Sequence, residues 1–286
     1  MNKKIAVIGG DFRQAVVAEL LTEKGAEVAV FALEKESSSV SGATIAADLA
    51  GALCDASAVV LPLPVSRDGK CVNTPLSSHV IELADLVSCL SPETAVIGGM
   101  LDFELFKGYK CFDYYEMEDF KLLNAVPTAE GAIAIAMDSL KTTLHGSKAL
   151  ILGCGRIGKV LAKDLGALGT LVTLAVRKDE QRAWCEINGF KTADYGELES
   201  LIGEFDVIFN TVPYVIIKEG ILNAVNNQTP IIDLASKPFG VDYATAKELG
   251  KTVIIAQSLP GKVAPISAGR IISHSVCNIL RKERIL

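Results

Sequence analysis

Three glycines with the spacing GxGxxG give the clearest chemical signal in the chain. Gly153, Gly155 and Gly158 follow an apolar strand predicted at 149–152, and a helical pattern and a second apolar strand at 171–176 come after them. In such a loop the first glycine permits a tight turn, the second lets a pyrophosphate approach the backbone, and the third lets helix and strand pack closely. The arrangement predicts a dinucleotide site with the phosphates at a helix N-terminus.

The residues after the second strand indicate which dinucleotide binds. Sites for NAD usually carry Asp or Glu there, about 20 residues past the first glycine, on the ribose 2′-hydroxyl. This chain has Val176, Arg177 and Lys178 instead. Two cations suit a 2′-phosphate, so the sequence predicts NADP over NAD. The alternative is that both are solvated charges at the start of the next helix, beside Asp179 and Glu180.

Two later turns are expected at the same edge of the sheet. Thr211-Val212-Pro213 follows a strand predicted at 206–210, and Ser236-Lys237-Pro238 follows one at 230–234. Because ligands of open α/β sheets bind at the carboxyl ends of the strands, both turns would flank the nicotinamide end of the cofactor. The alternative is that each proline simply ends a strand.

The N-terminal part opens with the same order of elements. A strand at 3–8 runs into Gly9-Gly10-Asp11, and a helix and a strand at 27–31 follow. This turn lacks the third glycine, so no second nucleotide site is predicted. Asp11 and Arg13 would lie at the carboxyl edge of a parallel sheet, where Arg13 can hold a carboxylate through two hydrogen bonds. A surface salt bridge at a helix start is an equal alternative.

Pro127 marks the predicted boundary between two domains. Thr128 is a favourable N-cap for an alanine-rich helix that would link them, and Glu130 in its first turn is either a partner of the helix dipole or an acid–base group. The predicted fold is α/β, with two Rossmann-like, doubly wound parallel-sheet domains and a cleft between them. The predicted segments are a substrate domain at 1–126, a nucleotide domain at 127–265 with linker helix 128–145, and a C-terminal helix at 266–286, capped by Ser267, that packs back on the first domain.

Composition excludes several other classes of function. The chain has 286 residues, enough for two domains, and no apolar run long enough to cross a bilayer. A net charge of −6 argues against a nucleic-acid surface. Seven cysteines without a CxxC pair and three scattered histidines form no metal-ligand pattern. We expect a cytoplasmic protein with reduced thiols and with no metal, membrane or nucleic-acid partner.

Several stretches together resemble the A subunit of the dipicolinate synthase of spore-forming bacteria. They occur in order along nearly the whole chain: IAVIGGDFRQ, NAVPTAEGAI, LHGSKALILGCGRIG, FNTVP, DLASKPFG and LPGKVAPISAGRII. The layout is also similar to that of the formate/glycerate dehydrogenase superfamily. PGKVAP is similar to the cofactor-side loop of methylenetetrahydrofolate dehydrogenases. The expected cofactor-binding residues are then Gly153, Gly155, Arg156, Ile157, Gly158, Arg177, Lys178, Thr211, Val212, Pro213, Ser236, Pro260 and Val263.

The resemblance implies a specific reaction. NADP would oxidise 4-hydroxy-tetrahydrodipicolinate, or its dehydrated dihydro form, to pyridine-2,6-dicarboxylate, on a branch of the lysine/diaminopimelate pathway during sporulation. The mother-cell cytoplasm, the flavoprotein-like B subunit of dipicolinate synthase and a homo-oligomer are implied as setting and partners. The expected substrate-binding residues are Asp11, Arg13, Ser66 and Thr128, and the expected catalytic residues are Arg13, Glu130 and Lys237.

Two departures keep other functions open. Hydroxyacid dehydrogenases use an Arg, a Glu and a His, whereas the late PGKVAPISAG stretch has no His, His274 lies inside the last predicted helix, and Lys237 stands roughly where the Arg would be. Their mechanism is therefore not carried over. The alternatives are an NAD(P)-dependent dehydrogenase of another small hydroxy or carboxylic acid, and a non-catalytic NADP-binding scaffold.

Overall fold

Alternating apolar strands and helices form two separate parallel sheets, which confirms the predicted fold class. A computed structural model describes residues 3–35 and 40–286. The serines at 37, 38 and 39, a composition that predicts a loop, fall outside these residues. The chain divides into a first unit, Met1–Asn124 with Ala264–Leu286, and a second unit, Ala125–Val263.

The first unit contains a six-stranded sheet in the order β3-β2-β1-β4-β5-β6, and every strand pair is parallel. Its strands are β1 (Lys4–Ile8), β2 (Glu27–Phe31), β3 (Thr44–Ile45), β4 (Ala56–Val60), β5 (Ala95–Gly98) and β6 (Lys110–Asp113). Its helices are α1 (Phe12–Glu23), α2 (Leu49–Leu53), α3 (Leu83–Cys89), the first part of α4 (Glu118–Ser139) and α11 (Pro265–Lys282), with a 3-10 turn at Tyr114–Glu116.

The second unit repeats this topology in the order β12-β11-β10-β7-β8-β9, again with all pairs parallel. Its strands are β7 (Lys148–Leu152), β8 (Leu171–Ala175), β9 (Lys191–Ala193), β10 (Val207–Asn210), β11 (Ile231–Asp233) and β12 (Val253–Ile255). Its helices are α5 (Arg156–Ala167), α6 (Asp179–Ile187), α7 (Leu198–Leu201), α8 (Glu219–Ala224), α9 (Tyr243–Glu248) and α10 (Leu259–Val263), with 3-10 turns at Tyr195–Glu197 and Ile202–Glu204.

The central strands explain why both sheets form. After its first residue, each of β1 and β7 is buried throughout, because helices cover both faces of a parallel sheet and its strands become continuous apolar runs. In each unit the chain order reverses beside the first strand, between β1 and β4 and between β7 and β10. In open α/β sheets, ligands bind at the carboxyl ends of the strands beside such a reversal.

The predicted linker helix at 128–145 is wrong at both ends. Helix α4 runs from Glu118 to Ser139, and Pro127 lies inside it. An interior proline costs about 3 kcal/mol because it removes a hydrogen bond and crowds the preceding turn. Ala125, Ala129 and Ala132 are each at most 2% exposed. Their helical spacing forms a packed apolar stripe that offsets this cost.

The earlier start of α4 corrects the positions of two candidate residues. Thr128 is an interior helical residue, 8% exposed, and not an N-cap. Glu130 lies well past the first turn, where the influence of the helix dipole has faded.

Helix α11 also starts earlier than predicted and packs on α1 within the first unit. It begins at Pro265 after the N-cap Ala264, so Ser267 is a helical residue and not the cap. A proline in the first turn is favourable because its N–H would have no partner there. At Gly269 an added Cβ would lie 2.7 Å from Val16 Cβ and 2.9 Å from the Arg13 carbonyl oxygen.

We expect Gly269→Val to destabilise the first unit by about 1–3 kcal/mol, because the new side chain meets Val16 and the backbone of α1 in a packed interface. Ser267→Val is the matched control, since Ser267 is exposed on the same helix. Chemical denaturation of both variants measures the difference. Equal free energies of unfolding for the two variants would show that the interface between α1 and α11 accommodates the larger side chain.

Candidate functional site

The glycine loop of the second unit begins at a position that requires glycine. Gly153 follows β7 with φ +97°, and its amide donates to the Ala175 carbonyl at 3.1 Å. A Cβ here would lie 2.6 Å from Thr211 Oγ1. The left-handed backbone and the close approach of Thr211 both require glycine.

The other two glycines of the loop differ in what surrounds them. A Cβ at Gly158 would lie 2.2 Å from the Gly153 carbonyl oxygen, so this position lets α5 pack on the loop. At Gly155, the N-cap of α5, a Cβ would meet nothing within 4 Å. Gly155 has no side chain with which to cap this helix end. The space and the helix N-terminus together fit a bound phosphate.

The corresponding turn of the first unit is closed to phosphate. Asp11 is the N-cap of α1, and its carboxylate accepts the Arg13 amide at 3.1 Å. Gln14 stands at the third-glycine position, 1% exposed, and donates from Nε2 to the Val60 carbonyl at 3.1 Å. A negative charge and a filled space thus replace the two features that a phosphate needs.

The two cations after β8 differ in their surroundings. Lys178 Nζ lies 3.4 Å from Glu180 Oε1, so this charge is paired. Arg177 is exposed and makes no hydrogen bond or ion pair with the residues that the structure describes. Burial raises the pKa of Tyr195, and the nearby Arg177 charge lowers it in part. Arg177 is therefore the cation left for a ligand at this strand end.

The cysteine inside the loop is a packing residue. Cys154 is 3% exposed and its thiol faces that of Cys185, which is fully buried. Burial raises the pKa of Cys154 and raises the pKa of Cys185 to about 12. Because the thiolate is the reactive form of cysteine, burial makes both thiols less nucleophilic.

The turn after β10 is fixed against the glycine loop. Thr211 donates to the Leu152 carbonyl from its amide at 3.0 Å and from Oγ1 at 2.8 Å. Val212 is half-buried and Pro213 is exposed beyond it. The Thr211 hydroxyl is committed to the backbone, so this residue shapes the site and does not offer its proton to a substrate.

A buried carboxylate holds the turn after β11. Asp233 is fully buried and accepts from Asn210 Nδ2 at 2.8 Å and from the Ala235 amide at 3.1 Å. It also accepts from the Gly240 amide at 3.0 Å and the Tyr243 hydroxyl at 2.7 Å. With four donors the charge is satisfied, so Asp233 orders the turn that carries Ser236 and Lys237.

Asp233→Ala should lower the free energy of unfolding by about 3–5 kcal/mol, because it leaves buried donors without an acceptor. Tyr243→Phe removes one of the four donors and serves as the milder variant, with an expected loss of about 1 kcal/mol. Urea denaturation of both measures this. A loss below about 1 kcal/mol for Asp233→Ala would mean that the network is not what orders the turn.

The remaining candidates of the second unit divide into two groups. Ser236 and Lys237 are exposed at the carboxyl edge of the sheet. Glu130 lies instead beside Asp164, whose pKa is raised by burial and by the Glu130 charge. Asp164 follows Arg156 by eight residues, or about 12 Å along α5. The structure therefore does not place Glu130 with the strand-end residues.

Pro260 and Val263 lie in the short helix α10 and not in an open loop. Pro260 is buried and Val263 is 44% exposed. A Cβ at Gly131 would lie 3.0 Å from Leu259 Cβ and 3.2 Å from Val263 Cγ2. Close packing of α10 on α4 accounts for Val263 without a ligand.

At the edge of the first sheet, Arg13 is already paired. Its Nε donates to Asp11 Oδ1 and its Nη2 to Asp11 Oδ2, each at 2.8 Å, and Nη2 also donates to the Leu63 carbonyl at 2.6 Å. The side chains are 13% and 31% exposed. The salt-bridge alternative is thus present in the structure, and Asp11 takes the bidentate geometry that a substrate carboxylate would need.

Ser66 is also engaged within its own turn. Its Oγ donates to Asp68 Oδ1 at 3.0 Å and accepts the Gly69 amide at 2.9 Å. Hydrogen bonds from the Cys71 and Lys70 amides and from Ser66 lower the pKa of Asp68 to about 2. The Ser66 hydroxyl is therefore occupied in stabilising this tight turn.

Two neighbouring residues were missed by the sequence analysis. Arg67 Nε donates to Asn73 Oδ1 at 3.1 Å, and Asn73 Nδ2 is buried without a hydrogen-bond partner among the described residues. The Asn73 carbonyl accepts the Gly10 amide at 2.8 Å. In the sequence Arg67 belongs to a turn signal, SRDGK, and nothing local marks Asn73 as unusual.

The second unit defines the class of protein. A doubly wound sheet with an uncapped glycine loop at its reversal point is a dinucleotide-binding domain of the dehydrogenase type. Residues 128–234 match the NAD binding domain of D-isomer specific 2-hydroxyacid dehydrogenases. A transhydrogenase from Sinorhizobium meliloti has a TM-score of 0.73 at 14% identity, with 98% of this chain and 94% of that one covered. At that identity the likeness shows the fold alone.

The rest of the chain is similar to one particular group of proteins. Residues 4–115 match the N-terminal domain of the dipicolinate synthase A subunit. The A subunit of dipicolinate synthase from Bacillus subtilis is 29% identical over 283 residues, which cover 97% of this chain and 95% of the relative. Its solved structure has a TM-score of 0.89 at 28% identity, covering 99% and 97%, and the counterpart from Bacillus halodurans has 0.89 at 27%, covering 97% of each. The chain is thus similar to dipicolinate synthase A subunits over nearly its whole length, which confirms the resemblance.

Two features of other classes of site are absent from the residues that the structure describes. None of their helices has the length and apolar character needed to cross a membrane. Within the same ranges, no group of three or more His, Cys, Asp or Glu side chains is arranged to hold a metal ion.

Proposed function

We propose that the chain is the NADP-dependent dehydrogenase component of a dipicolinate synthase. Its substrate would be 4-hydroxy-tetrahydrodipicolinate or dihydrodipicolinate, and its product pyridine-2,6-dicarboxylate. The observation that carries the proposal is the uncapped α5 N-terminus at Gly155, with Arg177 at the next strand end unpaired among the described residues. The Bacillus relatives, which are named as dipicolinate synthase A subunits, support the choice of substrate.

The residues of the second unit fit the cofactor in three places. The backbone near Gly155 and Gly158 would hold the pyrophosphate, and Arg177 would bind the 2′-phosphate. The turns 211–213 and 235–238 would lie at the nicotinamide end. When bound, NADP supplies a hydride acceptor, and oxidation of the dihydro compound also releases one proton.

Lys237 is the candidate we retain for contact with the reacting ring. It is exposed at the carboxyl edge of the second sheet and makes no hydrogen bond or ion pair with the described residues. An unpaired lysine there can neutralise a substrate carboxylate or, when deprotonated, accept the ring proton. Glu130 is a weaker candidate because it lies beside Asp164.

The name of the relatives also supports a partner. A protein called the A subunit implies a second component, and we propose that this chain works with the B subunit of dipicolinate synthase in the cytoplasm of the sporulating mother cell. A homo-oligomer of this chain is part of the same proposal. Co-expression of the two proteins followed by size-exclusion chromatography tests whether a stable complex forms.

The reaction is tested by mixing the chain, with and without the B subunit, with NADP and freshly made 4-hydroxy-tetrahydrodipicolinate. Formation of NADPH and of dipicolinate is followed by ultraviolet absorbance. Product from the chain alone supports the proposal. If dipicolinate forms only with the B subunit and still forms when this chain carries Gly155→Asp, the chain is a scaffold instead. If the chain oxidises a hydroxyacid but not this substrate, it is another dehydrogenase.

A further inference from the structure

One buried hydrogen-bond donor in the first unit has no acceptor among the described residues. This donor is Asn73 Nδ2. Most buried polar groups in folded proteins are satisfied, so an exception calls for an explanation such as a ligand or a water molecule. Arg67 Nε donates to Asn73 Oδ1 at 3.1 Å, which fixes the orientation of the amide. Flipping the amide would set two donors against each other, so the group without an acceptor is the NH₂.

Arg67 itself has most of its donors available. Its side chain is exposed, and Nε makes the one hydrogen bond or ion pair found for it among the described residues. The two terminal amino groups of the guanidinium carry four further N–H donors in a planar fork. This geometry matches a carboxylate.

The pair lies where a ligand of this sheet is expected. The Asn73 amide donates to the Val65 carbonyl at 2.8 Å, and its carbonyl accepts the Gly10 amide at 2.8 Å. These bonds place Asn73 against the turn that joins β1 to α1 and beside the segment that follows β4. Strands β1 and β4 are the neighbours at the reversal of strand order, and crevices at such reversals bind ligands in open α/β sheets.

Among the charged groups around the pair, Arg67 is the cation that is hydrogen-bonded to Asn73. Arg13 is neutralised by Asp11. The Asp68 carboxylate is occupied by the Ser66 hydroxyl and by the Lys70 and Cys71 amides. Arg67 and Asn73, at the same edge of the sheet, are therefore better placed to bind an anion than Arg13 and Ser66.

We propose that Arg67 and Asn73 together bind one carboxylate of a small dicarboxylate. Asn73 donates from Nδ2 and Arg67 from its terminal amino groups, while the Arg67–Asn73 hydrogen bond holds the two side chains in place. The identity of the dicarboxylate as the dipicolinate skeleton rests on the function proposed above, whereas the site itself rests on the geometry of these two residues.

Calorimetric titration with pyridine-2,6-dicarboxylate, in the presence of NADP, tests the site directly. Asn73→Asp keeps the shape and the Oδ1 acceptor but exchanges the donor for a negative charge. We expect it to raise Kd about 100-fold, and Arg67→Gln to raise Kd about 10- to 100-fold, because hydrogen bonds to a charged group are lost. Lys70→Gln is the matched control: it removes an exposed cation from the same turn and should change Kd less than twofold.

Each outcome separates this inference from the proposed reaction. Absence of binding to the unmodified chain, or equal Kd values for Arg67→Gln and Lys70→Gln, would overturn the dicarboxylate site. Loss of binding in both site variants without NADPH formation by the unmodified chain would keep the site and overturn the reaction. If Asn73→Asp lowers the unfolding temperature, the Kd of the Arg67→Gln variant remains the test, because the Arg67 side chain is exposed.

Discussion

Gly155→Asp should weaken NADP binding at least about 100-fold and leave the protein as stable as the parent chain, or more stable. The reason is that Asp11 already caps helix α1 from nearly the same backbone conformation. Gly155 has φ −86° and ψ −162°, and Asp11, the N-cap of α1, has φ −96° and ψ −167°. An aspartate at 155 can therefore adopt the conformation of Asp11 and cap α5 from the same backbone geometry. It would place a carboxylate where the pyrophosphate should bind.

The expected size of the effect follows from charge and space. Asp is among the best N-cap residues and Gly is weaker, so helix stability should rise by a few tenths of a kcal/mol. The dinucleotide would lose the helix-end site and meet a like charge, and we expect Kd to rise at least about 100-fold, or about 2.7 kcal/mol. Fluorescence titration with NADPH and a thermal melt measure the two quantities separately.

Gly158→Val is the contrasting variant for this experiment. Its Cβ would lie 2.2 Å from the Gly153 carbonyl oxygen, so binding and unfolding temperature should fall together. If Gly155→Asp bound NADPH as tightly as the parent chain, the phosphate would not lie at the start of α5.

Arg177→Ala is expected to weaken NADPH binding by about 10- to 100-fold, the cost of one lost charge-assisted contact to the 2′-phosphate. The Kd for NADH should change less than threefold, because that cofactor lacks this phosphate. The selectivity ratio, obtained by titrating both cofactors, is thus the measured quantity. Arg177 suits this role since it is exposed and unpaired within the described residues, while Lys178 faces Glu180.

Arg182→Ala is the control for Arg177→Ala. Arg182 lies on the adjacent helix α6 and is paired with Asp194, so its loss should leave both affinities unchanged. Equal weakening of NADPH and NADH by Arg177→Ala would show that Arg177 does not read the 2′-phosphate.

The parts of the fold that sequence predicted well depend on local patterns. Apolar strands alternating with helical stretches indicated two parallel sheets, and the spacing of Gly153, Gly155 and Gly158 indicated the loop that the structure contains. Close contacts within the loop require glycine at 153 and 158, whereas Gly155 leaves open space in front of α5. Short-range rules of chain geometry therefore sufficed for this part of the molecule.

The prediction failed where distant packing decided the outcome. Pro127 looks like a helix boundary, yet Ala125 and Ala129 keep α4 continuous through it. Local propensity was outweighed by burial. The bounds of α4 could not be read from the residues around Pro127 alone.

The candidate substrate residues show the same limitation for side chains. The sequence indicates that Arg13 can bind a substrate carboxylate. In the structure, however, Arg13 is hydrogen-bonded to Asp11 and to the carbonyl of Leu63, 50 residues away. Conversely, Asn73 stands out only when every donor near it has been matched with an acceptor. Hydrogen-bond partners of this kind arise from the fold and leave no mark in the local sequence.

The most direct test of the central claim is the yield of NADPH per dipicolinate when the unmodified chain and its Gly155→Asp variant are each given NADP and freshly made 4-hydroxy-tetrahydrodipicolinate. We predict equal amounts of NADPH and dipicolinate from the unmodified chain and neither from the variant. Dipicolinate formed at the same rate by both proteins, or formed without NADPH, would contradict the claim that this chain oxidises a small cyclic dicarboxylate with NADP held at α5.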